Sequence, residues 1–278
     1  MKVSVVVTTY NWPAALDRVL DSLARQTYRD FEVIVADDGS RNDTAELVAG
    51  WVARAPFPLQ HVWQKDQGFR AARVRNLGAQ AANGDYLLFI DGDCLTLPGF
   101  VASHAAQAEA GWFATGRRAQ VRERVTAEIL ERKLAPYALP RWRLIAESPH
   151  WLQTRYAQLV TLPIDGVRRS RHVADVRKAE SCNLALWRAD FERVGGFDET
   201  FEGFGCEDVD LCLRLLRAGL KRKSLEHLEP VLHLYHGRKA VVPETRRLLE
   251  ESAAADHVVA RASLFVAKAR KARRRAAP

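Results

Sequence analysis

Between Val3 and Asp93 the chain repeats one pattern: a short apolar run, a polar or acidic turn, then a stretch with helical periodicity. Val-Ser-Val-Val-Val at Val3–Val7 reads as a strand buried on both faces. Pro13 then opens a helix with Leu16, Val19, Leu20 and Leu23 on one stripe. Phe31–Ala36 is a second strand, closed by Asp37-Asp38-Gly39-Ser40, and Asn42 or Asp43 is placed to cap the helix that carries Leu47 and Val48. Leu59–Trp63 is a third strand, and Arg70–Ala82 a helix stopped by Asn83-Gly84. Tyr86–Ile90 is a fourth strand, ending at Asp91-Gly92-Asp93. Strand and helix in this alternation can bury both faces only as an α/β fold, a mostly parallel central sheet flanked by helices with right-handed crossovers.

That architecture says where to look for chemistry. Ligands of open parallel sheets bind outside the carboxyl ends of the strands, and Asn11, Asp38, Asp91 and Asp93 all fall there. The first strand–helix turn, Thr-Thr-Tyr-Asn-Trp-Pro, lacks the glycine-rich fingerprint of dinucleotide sites, which argues against NAD or FAD. The four cysteines show no CxxC spacing and read as reduced thiols. The net charge is +8, but six basic and no acidic residues lie between Lys268 and Pro278, so the body of the chain carries only about +2 and no nucleic-acid partner is expected. Neither a signal peptide nor a run of about 18 apolar residues is legible, so the expected location is cytoplasmic.

Three clusters carry reactive groups. Asp91-Gly92-Asp93 suits a hard divalent cation, Mn2+ or Mg2+, of the kind that neutralises a departing diphosphate; both aspartates can reach the ion, or one the ion and one a ribose. Glu207-Asp208 opens a helix running through Leu215 to Ala218 and capped by Gly219; a carboxylate so placed can take a proton from an acceptor hydroxyl. The glycines and aromatics of Phe201-Glu202-Gly203-Phe204-Gly205 frame it for sugar contact. His233-Leu234-Tyr235-His236 lies on a strand Val231–Tyr235 whose alternation puts the two histidines on opposite faces, so one imidazole is expected to ligate, and His236 at the strand end is the choice. Arg73, Arg75 and Asn76 open their helix where an arginine can meet a diphosphate or a uracil edge, and Asp38 can accept from uracil or ribose.

Together these motifs resemble family 2 glycosyltransferases of the GT-A fold, over about residues 2–100 and 180–236. Val-Ser-Val-Val-Val-Thr-Thr-Tyr-Asn is similar to that family's first strand and uridine-contacting turn. Val-Ile-Val-Ala-Asp-Asp-Gly-Ser is similar to its second strand and donor aspartate. The resemblance implies a UDP-sugar donor contacted by Thr9, Tyr10, Asn11, Asp38, Arg75, Asn76 and Asp91, with Asp91, Asp93 and His236 on the metal. Gly-Gly-Phe-Asp-Glu-Thr-Phe-Glu-Gly-Phe-Gly-Cys-Glu-Asp-Val-Asp-Leu resembles the acceptor module of β1,4-galactosyltransferases and the bacterial chondroitin polymerase. It implies inversion with Asp208 as base and Glu207 on sugar hydroxyls. Phe204 stands where several relatives have tryptophan. A hexose or N-acetylhexosamine passing to a glycan or lipid-linked acceptor, in surface polysaccharide or lipopolysaccharide synthesis, follows as the expected reaction.

Three parts are expected: a nucleotide-sugar half over 1–100, an acceptor and catalytic half over 101–240, and a C-terminal helix with a basic tail over 241–278. Residues 101–180 are rich in Trp and Arg, with one helix expected at Val121–Leu134 and breaks at Pro136, Pro140, Pro149 and Pro163. From Pro243 a long amphipathic helix is expected, with Leu248, Val259, Ala262 and Phe265 near one stripe. Ending in Lys-Ala-Arg-Lys-Ala-Arg-Arg-Arg, it suits peripheral contact with an anionic inner membrane face. A nucleotidyltransferase would want a glycine-rich triphosphate loop, and none is legible; a non-catalytic carbohydrate-binding module is the other alternative, in which the carboxylates would be dispensable.

Overall fold

Strand β1 (Val3–Thr9) lies at the centre of the molecule because its side chains supply both cores. In the computed structural model, which describes residues 1–152, 173–177, 179–225, 230–237 and 240–276, Val3, Val5 and Val7 point into one apolar cluster and Val6 into the other. That is the two-residue period of a pleated strand buried on both faces. Helices α1 (Pro13–Ala24) and α2 (Asn42–Val52) cover the first face and α3 (Ala71–Ala81) the second. Strands β2 (Phe31–Asp37), β3 (Leu59–Trp63) and β4 (Tyr86–Asp91) complete a parallel set in the order β3-β2-β1-β4.

The later half of the chain joins the same sheet. Beyond β4 lie β8 (Leu184–Trp187), β6 (Trp112–Thr115) and β9 (Lys221–Ser224), giving seven strands in which β8 runs against both its neighbours. A second sheet of three short strands is built from β5 (Cys94–Leu95), β10 (Val231–His233) and β7 (Arg118–Gln120). It ties the segment after β4 to residues far along the chain, with His233 opposite Cys94.

Helix α4 (Phe100–Gln107) precedes β6. The expected helix at Val121–Leu134 is shorter, α5 (Glu123–Leu130): Val121 is drawn into a bridge with Leu152, and Arg132 adopts a left-handed φ of 60° that ends the helix. That arginine reaches Asp17 at 2.5 Å, an ion pair that offsets the strain of a non-glycine residue there. The proline-rich stretch also holds a regular element, α6 (Arg141–Trp151), in which the Ile145 carbonyl that Pro149 cannot serve accepts from Ser148 Oγ at 2.8 Å. Arg155 and Pro163 lie outside the described residues. Neither Asn42 nor Asp43 caps α2; Arg41 occupies the cap, and its N–H donates to Asn11 Oδ1 at 2.9 Å.

Two short helices shape the far side, α7 (Arg188–Arg193) and α8 (Glu207–Arg217). Gly219 ends α8 as expected, at φ 87° with the Leu220 N–H bonded to the Leu215 carbonyl at 3.1 Å. The single long C-terminal helix does not form. It is split into α9 (Pro243–Ala254) and α10 (Leu264–Ala276), because the intervening backbone bonds to the turn after α7 instead. Ala260 N–H donates to Val194 at 3.0 Å, Glu199 N–H to Ala262 at 2.8 Å, and buried Asp198 accepts from Arg261 Nε at 2.8 Å. Phe265, at the start of α10, packs edge-on against Phe191 at 5.5 Å. The apolar stripe is therefore divided, with Leu248 in α9, Val259 and Ala262 in the connecting loop, and Phe265 in the docked first turn of α10. Among the described residues no helix is long and apolar enough to cross a membrane.

Gly39 sets the turn after β2. Its φ is 95°, and a Cβ there would lie 2.5 Å from the Asp66 backbone. Gly39→Ala is expected to cost about 1–3 kcal/mol of unfolding free energy. A urea titration whose midpoint stays put would show that the Asp66 segment yields.

Candidate active site

The carboxyl edge of the sheet gathers the predicted acids. Asp91 is the last residue of β4, and the Gly92 N–H bonds to the Thr8 carbonyl at 2.7 Å, turning the chain across the end of β1. Asp93 follows, and its carbonyl accepts from Leu234 N–H at 2.9 Å in the small sheet. That pairing brings the histidine motif in. His236 Nε2 stands 3.4 Å from Asp93 Oδ2, and His233 Nε2 stands 3.8 Å from Oδ1.

The expectation that the two histidines face opposite ways is overturned: β10 stops at His233, the chain bends, and the rings lie 5.0 Å apart. His236 Nδ1 donates to the Gly237 carbonyl at 2.8 Å, so Nε2 is the nitrogen turned toward Asp93. A carboxylate oxygen and an imidazole nitrogen 3.4 Å apart are groups that could hold a divalent cation between them. Burial holds the Asp93 carboxyl above the usual range and pushes His233 below its own.

Glu207 and Asp208 begin α8, as expected. The residue before them, Cys206, is left-handed at φ 78°, and Gly203 and Gly205 also have positive φ, so a tight loop delivers the helix N-terminus to the sheet edge. Arg75 joins the two acid clusters. Its Nη1 donates to Glu207 Oε1 at 2.7 Å and its Nη2 to Asp91 Oδ1 at 3.1 Å. Asp91 and Glu207 thus flank one buried guanidinium. Arg75 was placed by its motif among groups that meet a diphosphate; here its fork is taken by these two acids.

Asp208 accepts from its neighbours' backbone, Val209 N–H at 2.8 Å and Ser181 N–H at 3.3 Å. Burial, with the Glu207 charge beside it, raises its pKa to about 7 despite the opposing Arg75. Glu207 Oε2 is buried with no hydrogen-bond partner among the described residues. An acceptor oxygen in that condition is matched by a hydroxyl donor.

The remaining candidates sort by position. Thr9 is buried, while Tyr10 is 44% exposed and donates to Asp66 at 3.0 Å. Asn11, at φ 48°, is tied by its N–H to Ser40 Oγ at 2.8 Å. Asp38 is buried and accepts from Arg70 N–H at 2.8 Å and from the Gln64 amide, so it anchors the 64–70 segment; burial raises its pKa. Arg73 Nη1 lies 3.7 Å from Glu199. Asn76 is not brought to the acids. It is fully buried, its amide donating to Phe197 and Glu199 at 2.9 Å each and accepting from Phe197 N–H, so it is spent on holding that turn.

Sequence reasoning missed several neighbours. Trp12 meets His236 edge-on at 6.1 Å, and its place directly after Asn11 was a usable signal. The buried thiols of Cys94 and Cys182 meet beside Asp91, which no spacing revealed.

A mostly parallel α/β sheet with paired acids at its carboxyl edge and a helix-borne carboxylate tied to them through Arg75 is a GT-A glycosyltransferase architecture. Solved structures agree in fold. S. aureus TarS 1-349 in complex with UDP-GlcNAc superposes with a TM-score of 0.64 at 19% identity, covering 91% of this chain and 66% of that one. A mannosyltransferase from Pyrobaculum calidifontis in complex with GDP-Man and Mn2+ gives 0.54 at 17% identity, covering 92% and 70%.

The model of glycosyl transferase family 2 matches residues 4–155, more than half of the chain, and the chain belongs to that family. Residues 168–237 match the N-terminal domain of galactosyltransferase. Validoxylamine A glucosyltransferase of Streptomyces hygroscopicus subsp. jinggangensis is 35% identical over 231 residues, 78% of this chain and 52% of that protein. Chondroitin synthase of Escherichia coli is 28% identical over 241 residues, 82% and 34%. The chain spans about half or less of these relatives' lengths.

Proposed function

We propose that this glycosyltransferase moves a hexose or N-acetylhexosamine from a UDP-sugar to a hydroxyl of a glycan or lipid-linked glycan, with inversion at the anomeric carbon. The observation that carries the reading is Arg75, whose two bonds hold the acids of the donor edge and the acceptor helix in one cleft. The UDP-GlcNAc in TarS and the GDP-Man in the mannosyltransferase support a nucleotide-sugar donor. The Tyr10 ring and the Asn11 turn offer the uridine a face and a rim.

Asp93 and His236 would hold Mn2+ or Mg2+, with Asp91 beside them. When bound, the ion supplies positive charge against the leaving diphosphate. The chain's own part is as follows. Asp208 takes the proton of the acceptor hydroxyl as that oxygen bonds to the anomeric carbon and the bond to the diphosphate breaks. Its raised pKa makes it a competent base near neutrality. The unpartnered Glu207 Oε2 accepts from a sugar hydroxyl, while Arg75 holds Glu207 in place.

Purified protein with Mn2+ and a panel of nucleotide sugars tests the reading, scored by slow donor hydrolysis and by the anomeric configuration of any product. No metal-dependent turnover on any donor, or retention of configuration, would overturn it. Chelator is expected to abolish turnover and Mn2+ to restore it. His236→Ala should raise the Mn2+ needed for half-activation by at least about tenfold, and an unchanged Mn2+ titration would remove that residue from the metal set.

The basic end of α10 fits an anionic inner membrane face through charge, because its apolar first turn is already docked on Phe191. Liposome co-sedimentation of the full chain, but not of a version ending at Ala267, is expected at low salt and should fade as salt rises. Equal behaviour of the two would reject the contact.

A further inference from the structure

Beside the donor edge lies a second group of ligand atoms, two of them thiol sulfurs that the proposed reaction does not use. A carboxylate oxygen of Asp91 and the sulfurs of Cys94 and Cys182 all lie within 4.8 Å of one another. Asp93, Cys94 and His233 form another such triad, sharing Cys94. Two remote segments build the group: the turn from the end of β4 into strand β5, and the one-turn helix at Ser181–Asn183.

The thiols are 0% and 1% exposed and share a hydrogen bond, while the Asp91 side chain is 28% exposed and forms the open side. Both thiols are held above their ordinary pKa, Cys94 chiefly by burial, so an ion must displace their protons; Arg118, paired with Glu180 at 2.9 Å, lies within electrostatic reach of both sulfurs. Two sulfurs and a carboxylate suit a soft or borderline ion, whereas the Asp93–His236 pair has no sulfur and suits a harder one.

We propose that Asp91, Cys94 and Cys182 form a binding site for a thiophilic divalent cation, zinc foremost, distinct from the Asp93–His236 site and inhibitory when filled. Each thiol passes its proton to solvent as its sulfur bonds the ion, and no oxidation state changes. The inhibitory half rests on the transferase reading: a cation on Asp91 competes with Arg75 for that carboxylate and sets positive charge beside Asp93, which disfavours a second ion there. The binding half needs no turnover.

Cadmium is the probe, since its bond to thiolate gives a charge-transfer absorption in the ultraviolet. Titrating the full chain with Cd2+ should give one saturable site with the intensity of two thiolates, reversed by Zn2+ and indifferent to Mn2+. Cys182→Ser should weaken that site at least tenfold and relieve zinc inhibition by the same factor while Mn2+-supported turnover persists. Cys206→Ser, altering the half-exposed thiol, should leave the titration unchanged. A missing band, a band that survives Cys182→Ser at full strength, or one lost with Cys206→Ser would overturn the site. If Cys182→Ser does not fold, X-ray absorption at the zinc edge of the wild-type protein decides. Two sulfurs at about 2.3 Å support the site and fewer overturn it.

Discussion

Asp208→Asn should lower kcat by about 10²–10⁴-fold while donor affinity stays within a few-fold of wild type, because the amide keeps the shape of the side chain but cannot take a proton. The wild-type pH profile carries the same signature. With the Asp208 pKa raised to about 7, log kcat/KM should climb with unit slope below that value and level off above it. The residual activity of the variant should show no such limb.

Stability runs the other way. A folded-state pKa above the ordinary 3.8 means that folding opposes ionisation. The wild-type protein therefore loses stability as pH rises from about 4 through about 7, and Asp208→Asn, which has nothing to ionise, does not. Above neutrality the variant should be the more stable by about 1–3 kcal/mol, and near pH 4 the two should match. A variant that is both inactive and less stable at pH 8 would mean that Asp208 is a structural acid, and the assignment of the base would fail.

Arg75→Lys should be the most damaging conservative change in the site. The guanidinium spans Asp91 and Glu207 with separate nitrogens, and its side chain is only 5% exposed. A lysine presents one point charge and can serve one of the two acids, leaving the other short of its partner. The expected cost is about 3–5 kcal/mol of unfolding free energy, with at least a hundredfold loss in kcat/KM. Adding Glu207→Gln to Arg75→Met should restore part of the stability by removing a buried charge, and none of the turnover. Denaturant unfolding and steady-state kinetics on the two proteins separate the strut from the chemistry. Arg75→Lys that folds and turns over like wild type would end the claim that this residue couples the two halves of the cleft.

Much of the fold was legible because it rests on local pattern. Val3, Val5 and Val7 against Val6 are a strand buried on two faces wherever they occur, and an acid after each such strand falls on the carboxyl edge of a parallel sheet. The start of α8 was readable from the acids of its first turn, Glu207 and Asp208, and its end from Gly219. The C-terminal helix was misread because periodicity cannot see a competitor: the Val194–Glu199 turn offers Ala260, Arg261 and Ala262 hydrogen bonds that replace helical ones. The facing of the two histidines was misread for a similar reason, as alternation holds only while the strand lasts, and β10 ends at its pairing with Cys94.

The amino-acid order alone determined the alternation of strands and helices, the edge at which the acids gather, and the placement of Asp93 past a strand end and of Asp208 at a helix start, since these depend on residues near each other in the chain. What Arg75 does, how both imidazoles reach Asp93, and why Cys94 meets Cys182 were decided only by the tertiary structure. Each of those contacts joins segments whose separation is set by register in the small sheet and by packing across the large one, and no local spacing encodes either.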